Sequence, residues 1–382
     1  MDVSETYPEI RESVRALCAK FPGEYWRALD RAREYPADFV KALSEAGMLA
    51  VLIPEEYGGS GLPISGAAAI LEEIHAAGAN GGACHAQMYT MGTILRHGSA
   101  EQKQRFLPKI ASGDLRLQAF GVTEPSAGTD TTAIRTTATK KGDRYIVDGQ
   151  KVWTSRAEHS DLMLLLARTS PRDQVAKKSD GLSVFVVDMK SKGLTIKPLR
   201  AMINHATTEV FFDGLEVPAE NLIGEEGKGF RYILDGMNAE RILIGAECIG
   251  DAKWFTAKAS DYAKSRVVFG RPIGQNQGIQ FPIAQAYARM RAAELMVREA
   301  IRLYEAHEAC GPEANMAKML AAEASWDAAN ACLQTHGGFG FAEEYDIERK
   351  FRETRLYQVA PISTNLILAH LAEHVLGLPR SY

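Results

Sequence analysis

Apolar residues recur at helical spacing in the first third of the chain and again in its last part. Residues 36–43 open with a proline, as a first helical turn can, and the apolar residues 65–75 predict a buried helix that ends before Gly78. After residue 227 the 3.6-residue period returns in four long stretches, namely 229–264, 278–308, 313–335 and 344–376. Because short Gly- or Pro-containing loops join these stretches, they predict a C-terminal four-helix bundle.

The middle of the chain follows a shorter period. Residues 144–148 form a short alternating segment after a Lys-Gly-Asp turn, residues 162–167 are a continuous apolar run, and residues 182–187 are apolar except for Ser183. A further strand, 209–212, is predicted to end at the turn pair Asp213-Gly214. Short strands at this close spacing predict a small β sandwich or barrel.

The order of these patterns predicts the architecture. Helices come first, strands follow, and long helices end the chain, which indicates an α+β protein with several domains. The predicted domains are an N-terminal helical domain over 1–116, a middle β domain over 117–226 and a C-terminal helical bundle over 227–382.

Charge and hydropathy narrow the classes of function. The 382 residues include 44 Lys and Arg against 48 Asp and Glu, a net charge of −4, which offers no positive field for nucleic acid phosphates. No apolar run approaches the roughly 20 residues that span a bilayer. The charged N-terminus lacks the apolar core of a signal peptide. We therefore expect a cytoplasmic protein that binds neither nucleic acid nor a membrane.

The cysteines and histidines do not predict a disulfide scaffold or a metal site. The five cysteines are spread along the chain without a CxxC pair. His370 and His374 stand at metal-ligand spacing, but the glutamate of an HExxH motif is missing between them. We expect no bound metal.

Four short motifs carry candidate chemistry. Residues 120–130 (FGVTEPSAGTD) run from a predicted strand into a loop of small and hydroxyl-bearing residues, which a ligand can approach closely. The others are KVWTS at 151–155, RVVFG at 266–270 with Gln277, and QTHGGFG at 334–340. Taken singly, each is compatible with an ordinary structural role, such as a strand connection, a buried tryptophan or a helix C-cap.

In this order and spacing, the four motifs resemble those of the acyl-CoA dehydrogenases, and the resemblance covers nearly the whole chain. That family has a helical N-terminal domain, a β domain and a C-terminal helical bundle, in the order that the periodicity predicts. The resemblance implies bound FAD and an acyl-CoA substrate. It also implies α,β-dehydrogenation, in which a carboxylate removes the α-proton and the β-hydrogen leaves as hydride. An electron-transferring flavoprotein would then take the electrons.

The resemblance assigns cofactor contacts residue by residue. Trp153 is expected to pack against the isoalloxazine ring, and Ser155 keeps the hydroxyl that a family Thr places near flavin N5. Arg266 and the segment 334–338 resemble elements that bind the ADP half of FAD, often across a subunit interface, which implies a homo-oligomer, either a dimer or a tetramer. The expected cofactor contacts are Phe120, Val122, Thr123, Gly128, Thr129, Trp153, Thr154, Ser155, Arg266, Phe269, Gln277, Gln334, Thr335, His336, Gly337, Gly338, Ser363 and Thr364.

The catalytic base departs from the family's common pattern. Most members carry a glutamate in a YEGT-like loop, but here the loop reads Ala360-Pro361-Ile362-Ser363, and a slipped register offers only Gln358. Isovaleryl-CoA-type and some long-chain members instead carry the base on a helix in a (D/N)xER pattern, which residues 238–241 (NAER) match. We therefore identify Glu240 as the base, and we expect the substrate contacts to be Thr129, Asn238 and Arg241.

Pro361 also bears on the thioester oxygen, which relatives hold with a backbone N–H at this position. Proline has no N–H, so either a neighbour such as Ile362 supplies the donor or the oxyanion is held more weakly.

Two other functions stay open. One is a flavin-dependent monooxygenase on the same fold, since such relatives often lack the loop glutamate. The other is a catalytically inactive homologue that binds acyl-CoA and FAD.

Overall fold

The structure is a computed structural model that describes residues 6–380, and the chain divides into two compact units. The helical unit takes in the described residues of Met1–Ala32, Pro63–Gly81 and Asn238–Tyr382. The sheet unit comprises Arg33–Leu62 and Gly82–Met237. Helices, strands and helices follow one another along the chain, so the predicted α+β class is confirmed.

The helices confirm most of the predicted helical stretches, with ends that differ by a few residues. In chain order they are α1 (Pro8–Cys18), α2 (Gly23–Ala32), α3 (Ala37–Glu45), α4 (Ile64–Ala76), α5 (Gly82–His97), α6 (Ala100–Ser112), α7 (Gly229–Ser265), α8 (Gln277–Glu305), α9 (Gly311–His336), α10 (Ile347–Arg355) and α11 (Thr364–His370). Over residues 6–380, no helix combines the length and the apolar character needed to cross a bilayer.

The strands of the sheet unit form one sheet in the order β6-β7-β3-β2-β4-β5-β8, and β1 adds to it by pairing in parallel with β4. These strands are β1 (Leu117–Gly121), β2 (Thr137–Lys141), β3 (Arg144–Ser155), β4 (Leu162–Arg168), β5 (Leu182–Asp188), β6 (Leu194–Pro198), β7 (Thr207–Pro218) and β8 (Leu222–Ile223). A separate hairpin in the helical unit joins β9 (Val267–Val268) to β10 (Arg271–Pro272).

The sheet has two halves that share an apolar core, one formed by β6, β7, β3 and β2 and the other by β1, β4, β5 and β8. In the described chain, β2 and β4 pair only through Thr137 and Arg168. Tyr145 of β3 and Phe185 of β5 nevertheless belong to one buried cluster, with ring centroids 4.8 Å apart. The halves therefore pack face to face, as the predicted sandwich requires, although one continuous sheet supplies both.

Helices cover the other face of β4. Met91 of α5 and Phe106 of α6 pack in one cluster with Leu164, whereas the next residue, Leu165, belongs to the core between the sheet halves. Because successive side chains point to opposite faces, β4 needs apolar residues on both of its faces. This accounts for the continuous apolar run at 162–167.

In the helical unit, α4 and α7 pack closely and share a buried ion network. A Cβ on Gly250 would lie 2.3 Å from the backbone oxygen of Glu72, so this approach requires glycine. The Glu72 carboxylate contacts Arg11 at 3.1 Å, Lys253 at 2.7 Å and Arg298 at 2.6 Å. These ion pairs join α1, α4, α7 and α8.

The long helix predicted over 344–376 is wrong as a single element. α10 ends at Arg355, a 3-10 turn Leu356–Gln358 follows, and residues 359–363 are not helical. Pro361 lacks the N–H that a continuous helix needs at this point. α11 then passes into a π-helical turn, Leu371–Val375.

The strand end predicted at Asp213-Gly214 is also wrong, because β7 continues to Pro218. The pairing with β3 shifts at this point, so that Asp213 and Gly214 together oppose the single residue Asp148. Gly214 has a φ of 62°, which glycine adopts without strain. The Asp-Gly pair therefore forms a β-bulge inside the strand rather than a turn at its end.

Candidate functional site

A buried ion pair holds the loop after β1 against β3. The Lys151 ammonium contacts the Glu124 carboxylate at 2.8 Å and donates a hydrogen bond to the Val122 carbonyl oxygen at 3.0 Å. The N–H of Val152 donates to the Thr123 carbonyl oxygen at 2.9 Å. The structure thus brings together the first two motifs, and it leaves Ser126, Gly128 and Thr129 exposed, whereas Ala127 is buried.

Further bonds keep this ion pair charged. Both Glu124 oxygens accept backbone N–H groups, from Arg135 at 2.6 Å and Thr136 at 2.9 Å. Burial opposes ionisation, but the charge of Lys151 and these bonds lower the pKa of Glu124. Burial lowers the pKa of Lys151 to about 8 in spite of the Glu124 charge. At neutral pH both groups are ionised, and the pair fixes the loop.

Trp153 lies at a β-bulge and faces outward. Lys151 pairs with Val210 while Thr154 pairs with Thr208, so two residues of β3 oppose one residue of β7. Trp153 has a φ of 60°, a conformation that is uncommon for a residue other than glycine, and its side chain is 58% exposed. A strained backbone that presents an aromatic face indicates a ligand platform.

Ser155 follows with its hydroxyl group oriented by a neighbour. The Asn204 side-chain amide donates to the Ser155 Oγ at 2.8 Å, which leaves the hydroxyl hydrogen available to another acceptor. Thr154 points into the core, and its backbone oxygen accepts from the Thr208 hydroxyl at 2.7 Å. The predicted contacts of the sheet unit, from Phe120 to Ser155, therefore surround the junction of β1 and β3.

The RVVFG motif forms a tight hairpin in the helical unit. Phe269 and Gly270 link β9 to β10 with φ angles of 51° and 78°, the left-handed pair of a type I′ turn. The Phe269 side chain is 100% exposed. At its base, Arg266 lies over the Phe339 ring at 5.6 Å from the centroid, so the structure joins this motif to the 334–340 segment.

The 334–340 segment ends α9. His336 stacks on Tyr262 of α7 at 4.2 Å between ring centroids, and burial lowers the pKa of its imidazole. Gly337 closes the helix with a φ of 57°, and a Cβ on it or on Gly338 would meet no atom within 4 Å. Gln277 and Gln334 are exposed, whereas Thr335 is buried and donates to its own helix.

Glu240 lies on α7 with only 6% of its surface exposed. Two residues before it, the Asn238 amide oxygen accepts a hydrogen bond from the Arg241 guanidinium at 3.0 Å, while the Asn238 NH₂ group contacts the Cys310 sulfur at 3.6 Å. Burial lowers the pKa of Arg241, and the Glu240 carboxylate opposes that shift. The NAER motif thus combines a buried carboxylate with a guanidinium whose hydrogen bond goes to Asn238.

The loop between α10 and α11 carries no carboxylate in its sequence. Pro361 is exposed, Ser363 is the N-cap of α11 with its hydroxyl oxygen accepting from the Leu366 N–H, and Thr364 begins that helix. The Ile362 carbonyl oxygen accepts a hydrogen bond from the Lys318 ammonium of α9 at 2.8 Å. A buried lysine therefore attaches to the segment from which the usual base is missing.

The sequence analysis assigned no role to three charged residues, namely Glu124 and Lys151 in the sheet unit and Lys318 in the helical unit. All three are buried. Glu124 and Lys151 are opposite charges inside two adjacent motifs, which was a usable signal for a pair. Lys318 is the only charge within residues 314–322, where the other residues are small or apolar apart from Asn315. Over residues 6–380 no cluster of three or more His, Cys, Asp or Glu residues could hold a metal ion.

Comparison with known proteins supports one family over the whole chain. The acyl-CoA dehydrogenase N-terminal, middle and C-terminal domain profiles match residues 4–114, 119–215 and 227–376. An acyl-CoA dehydrogenase of Bacillus subtilis (strain 168) is 35% identical over 382 residues, which cover 99% of this chain and 100% of the relative. The chain belongs to the acyl-CoA dehydrogenase family. Members of this family are FAD-dependent oxidoreductases that act on CH–CH bonds, and so is this protein.

Solved structures agree with this assignment. Butyryl-CoA dehydrogenase of Megasphaera elsdenii matches with a TM-score of 0.89 at 28% identity, covering 98% of this chain and 100% of that one. A chain from a structural study of the electron transferring flavoprotein of Acidaminococcus fermentans matches with a TM-score of 0.92 at 30% identity, covering 98% of each chain. The helical, β and helical order is the fold of these proteins.

The residues of this chain fit FAD. The outward Trp153 ring offers an apolar face, and the free Ser155 hydroxyl hydrogen offers a donor. The open space around Gly337 and Gly338 leaves their backbone accessible to a ligand. When bound, FAD supplies the acceptor for the β-hydrogen.

Ser155 allows a direct test of the hydroxyl assigned to it. We expect Ser155→Ala to retain FAD but to reduce its flavin about tenfold more slowly, the cost of one lost hydrogen bond. Ser155→Thr, which keeps the hydroxyl, should react at close to the wild-type rate. Stopped-flow flavin absorbance measures both rates. Equal rates for the alanine variant and the wild type would remove Ser155 from the reacting centre.

Proposed function

We propose that this protein oxidises an acyl-CoA thioester to the trans-2-enoyl-CoA and that Glu240 is the base that removes the α-proton. The observation that carries the proposal is a nearly buried carboxylate in the NAER motif of α7. Burial disfavours the charged form of a carboxylate and so strengthens it as a base. An α-proton beside a thioester is weakly acidic and needs such a base.

The absence of a carboxylate from the 358–364 loop supports this assignment. Pro361 and Gln358 cannot accept a proton as a carboxylate does, so the loop position of most relatives has no base in this chain. We assign Asn238, Arg241 and Thr129 to substrate binding. The Arg241 bond to Asn238 orients the amide.

We assign FAD binding to both units of the chain. The junction of β1 and β3 in the middle domain, 117–226, would hold the isoalloxazine ring through Trp153. The C-terminal domain, 227–382, would bind the ADP half through Arg266, Phe269 and the 334–338 segment.

We propose a homo-oligomer, a dimer or a tetramer, because exposed apolar side chains accompany the motifs that we assign to ADP binding. Phe269 is fully exposed at the tip of its hairpin, and α8 exposes three further large side chains, Phe281, Tyr287 and Leu295, each by more than half. Apolar groups presented in this way are typical of an interface. We propose that a second copy of this chain covers them, so that Arg266 and Gly337 reach the FAD of the neighbouring subunit.

We further propose that an electron-transferring flavoprotein reoxidises the enzyme. The similarity to a chain studied together with the electron transferring flavoprotein of Acidaminococcus fermentans supports this acceptor. A flavin-dependent monooxygenase on the same fold would instead react with oxygen. An inactive homologue would bind acyl-CoA without any change in its flavin.

One experiment separates these functions. The purified protein should be yellow with non-covalent FAD, and anaerobic addition of butyryl-, isovaleryl- and octanoyl-CoA should bleach the flavin with at least one of them. An oligomer should appear in sedimentation at the same concentration. Rapid oxygen consumption by the reduced enzyme would favour the monooxygenase, and no bleaching with any of a broad acyl-CoA panel would favour the inactive homologue. A monomer that holds FAD tightly would contradict the shared site.

A further inference from the structure

Lys318 is a buried cation whose direct hydrogen-bond partner is neutral. Its exposed fraction is 0%, and in the described part of the chain its one hydrogen bond goes to the Ile362 carbonyl oxygen at 2.8 Å. An ammonium has three N–H donors. A buried charge is costly unless it is paired, so a lysine in this position needs a compensating charge nearby or a function that repays its cost.

The packing of α7 against α9 places Lys318 beside the stretch of α7 that contains Glu240. Cys310, the N-cap of α9, contacts Asn238 at 3.6 Å, and a Cβ on Gly245 would lie 3.7 Å from the Ala317 carbonyl oxygen. The two helices therefore run side by side from these contacts onward. Glu240 lies between Asn238 and Gly245, and Lys318 follows Ala317.

The charges around Lys318 identify its partner. The groups that act on its ammonium are Glu240, Arg241 and the Cys248 thiol, all on α7. Arg241 carries the same sign, and burial raises the pKa of Cys248 well above its usual range, which keeps that thiol neutral. Glu240 is the carboxylate of this set. Burial lowers the pKa of Lys318 to about 8, and the Glu240 charge opposes this shift.

We propose that Lys318 is a positioning residue for α-proton abstraction, whose ammonium holds the 361–363 loop through the Ile362 carbonyl oxygen and stabilises the ionised carboxylate of Glu240. The inference rests on the proposed function and extends it. Without the ammonium, the buried carboxylate would remain protonated to a higher pH. Lys318 thus counteracts the burial of the base and keeps it ready to accept a proton.

The test compares the pH dependence of flavin reduction in three variants of Lys318. Lys318→Met removes both charge and hydrogen bond, Lys318→Gln keeps a donor for Ile362 without the charge, and Lys318→Arg keeps the charge. We expect the pH midpoint of flavin reduction by butyryl-CoA, or by another acyl-CoA that bleaches the wild type, to rise by about one unit in the Met and Gln variants. The Arg variant should keep the wild-type midpoint. Unchanged midpoints in the Met and Gln variants would overturn the proposal.

Two control variants separate the charge of Lys318 from a general effect of removing a buried or titrating group. Lys350 of α10 is equally buried and contacts Asp251 at 2.5 Å and the Ala79 carbonyl oxygen at 3.1 Å. Lys350→Met should therefore lower thermal stability without moving the pH midpoint. His370 is another titratable group that interacts with Arg241, and burial lowers the pKa of its imidazole. His370→Asn should likewise leave the midpoint unchanged, and a shift equal to that of Lys318→Gln in either control would contradict a specific role of Lys318.

A double-mutant cycle in thermal stability tests the coupling between the Lys318 and Glu240 charges independently of catalysis. At pH 7, where the Lys318 ammonium is charged, Lys318→Met should lower the unfolding temperature, because it removes a positive charge that stabilises the Glu240 carboxylate. Adding Glu240→Gln to that variant should restore part of the loss, whereas additive effects of the two changes would contradict the coupling. If no acyl-CoA bleaches the wild type, the proposed function fails while this cycle still reports on the pair. If Lys318→Met does not fold, the Gln variant takes its place in both measurements.

Discussion

Replacing Glu240 with glutamine is expected to slow flavin reduction by roughly 10²–10⁴-fold, the contribution of a positioned general base. The amide keeps the shape of the side chain but cannot accept the α-proton, so FAD and acyl-CoA should still bind. Stopped-flow bleaching under anaerobic conditions measures the rate, and a shift in the flavin spectrum on adding the acyl-CoA reports binding.

Glu323 provides the matched control for this substitution. It is a carboxylate of the same helical unit, and burial raises its pKa, yet it lies on the exposed side of α9 among Asp327 and Arg289. Glu323→Gln should leave the rate of flavin reduction unchanged. If Glu240→Gln also reacts at the wild-type rate, another carboxylate is the base and the alignment of the 358–364 loop must be redrawn.

Replacing Glu72 with glutamine is expected to lower the free energy of unfolding by about 3 kcal/mol at pH 7. Burial alone would raise the pKa of Glu72, but Arg298, Lys253 and Arg11 outweigh it and lower the pKa to about 2. The difference from an ordinary glutamate near pH 4.3 corresponds to this free energy. Loss of one partner from a buried ion network has a similar cost.

The same pKa fixes the pH dependence of the Glu72 contribution. A carboxylate with a lowered folded-state pKa stabilises the fold fully above its unfolded value, near pH 4.3, and the contribution disappears as the pH falls towards 2. The difference between wild type and Glu72→Gln in urea unfolding should therefore be large at pH 7 and small near pH 2.5. Glu299→Gln, which breaks an exposed pair with Arg302 on α8, should change stability little at any pH. A Glu72 effect independent of pH would contradict the network.

Periodicity predicted those elements in which the apolar residues of the sequence are the residues that the fold buries. The runs 162–167 and 182–187 became β4 and β5 because both faces of these strands are covered. The last long helix failed because apolar spacing continues past Pro361, where the backbone cannot remain helical. The predicted end of β7 was wrong because an Asp-Gly pair can form a β-bulge as well as a turn. Only the pairing with the neighbouring strand distinguishes the two.

Of the candidate site, only the residues that lie in recognisable sequence motifs were predictable. The motifs named Trp153, Ser155 and Glu240 as candidates, but not what supports them. A lysine such as Lys318 is normally expected at the surface, and its burial follows from a partner in another segment of the chain. Such pairs are properties of tertiary structure, which a single sequence does not record.

Because of the bulge in β3, the number of residues in the KVWTS segment matters as much as their identity. Lys151 is anchored to Glu124 on one side of the bulge, and Ser155 pairs with Thr207 on the other. One residue added or removed between them would turn the outward side chains inward, even if every motif residue were kept. In searches for related sequences, a gap opened within these five positions should therefore count against a match more heavily than a substitution. The count of residues between anchor and hydroxyl is itself part of the signature.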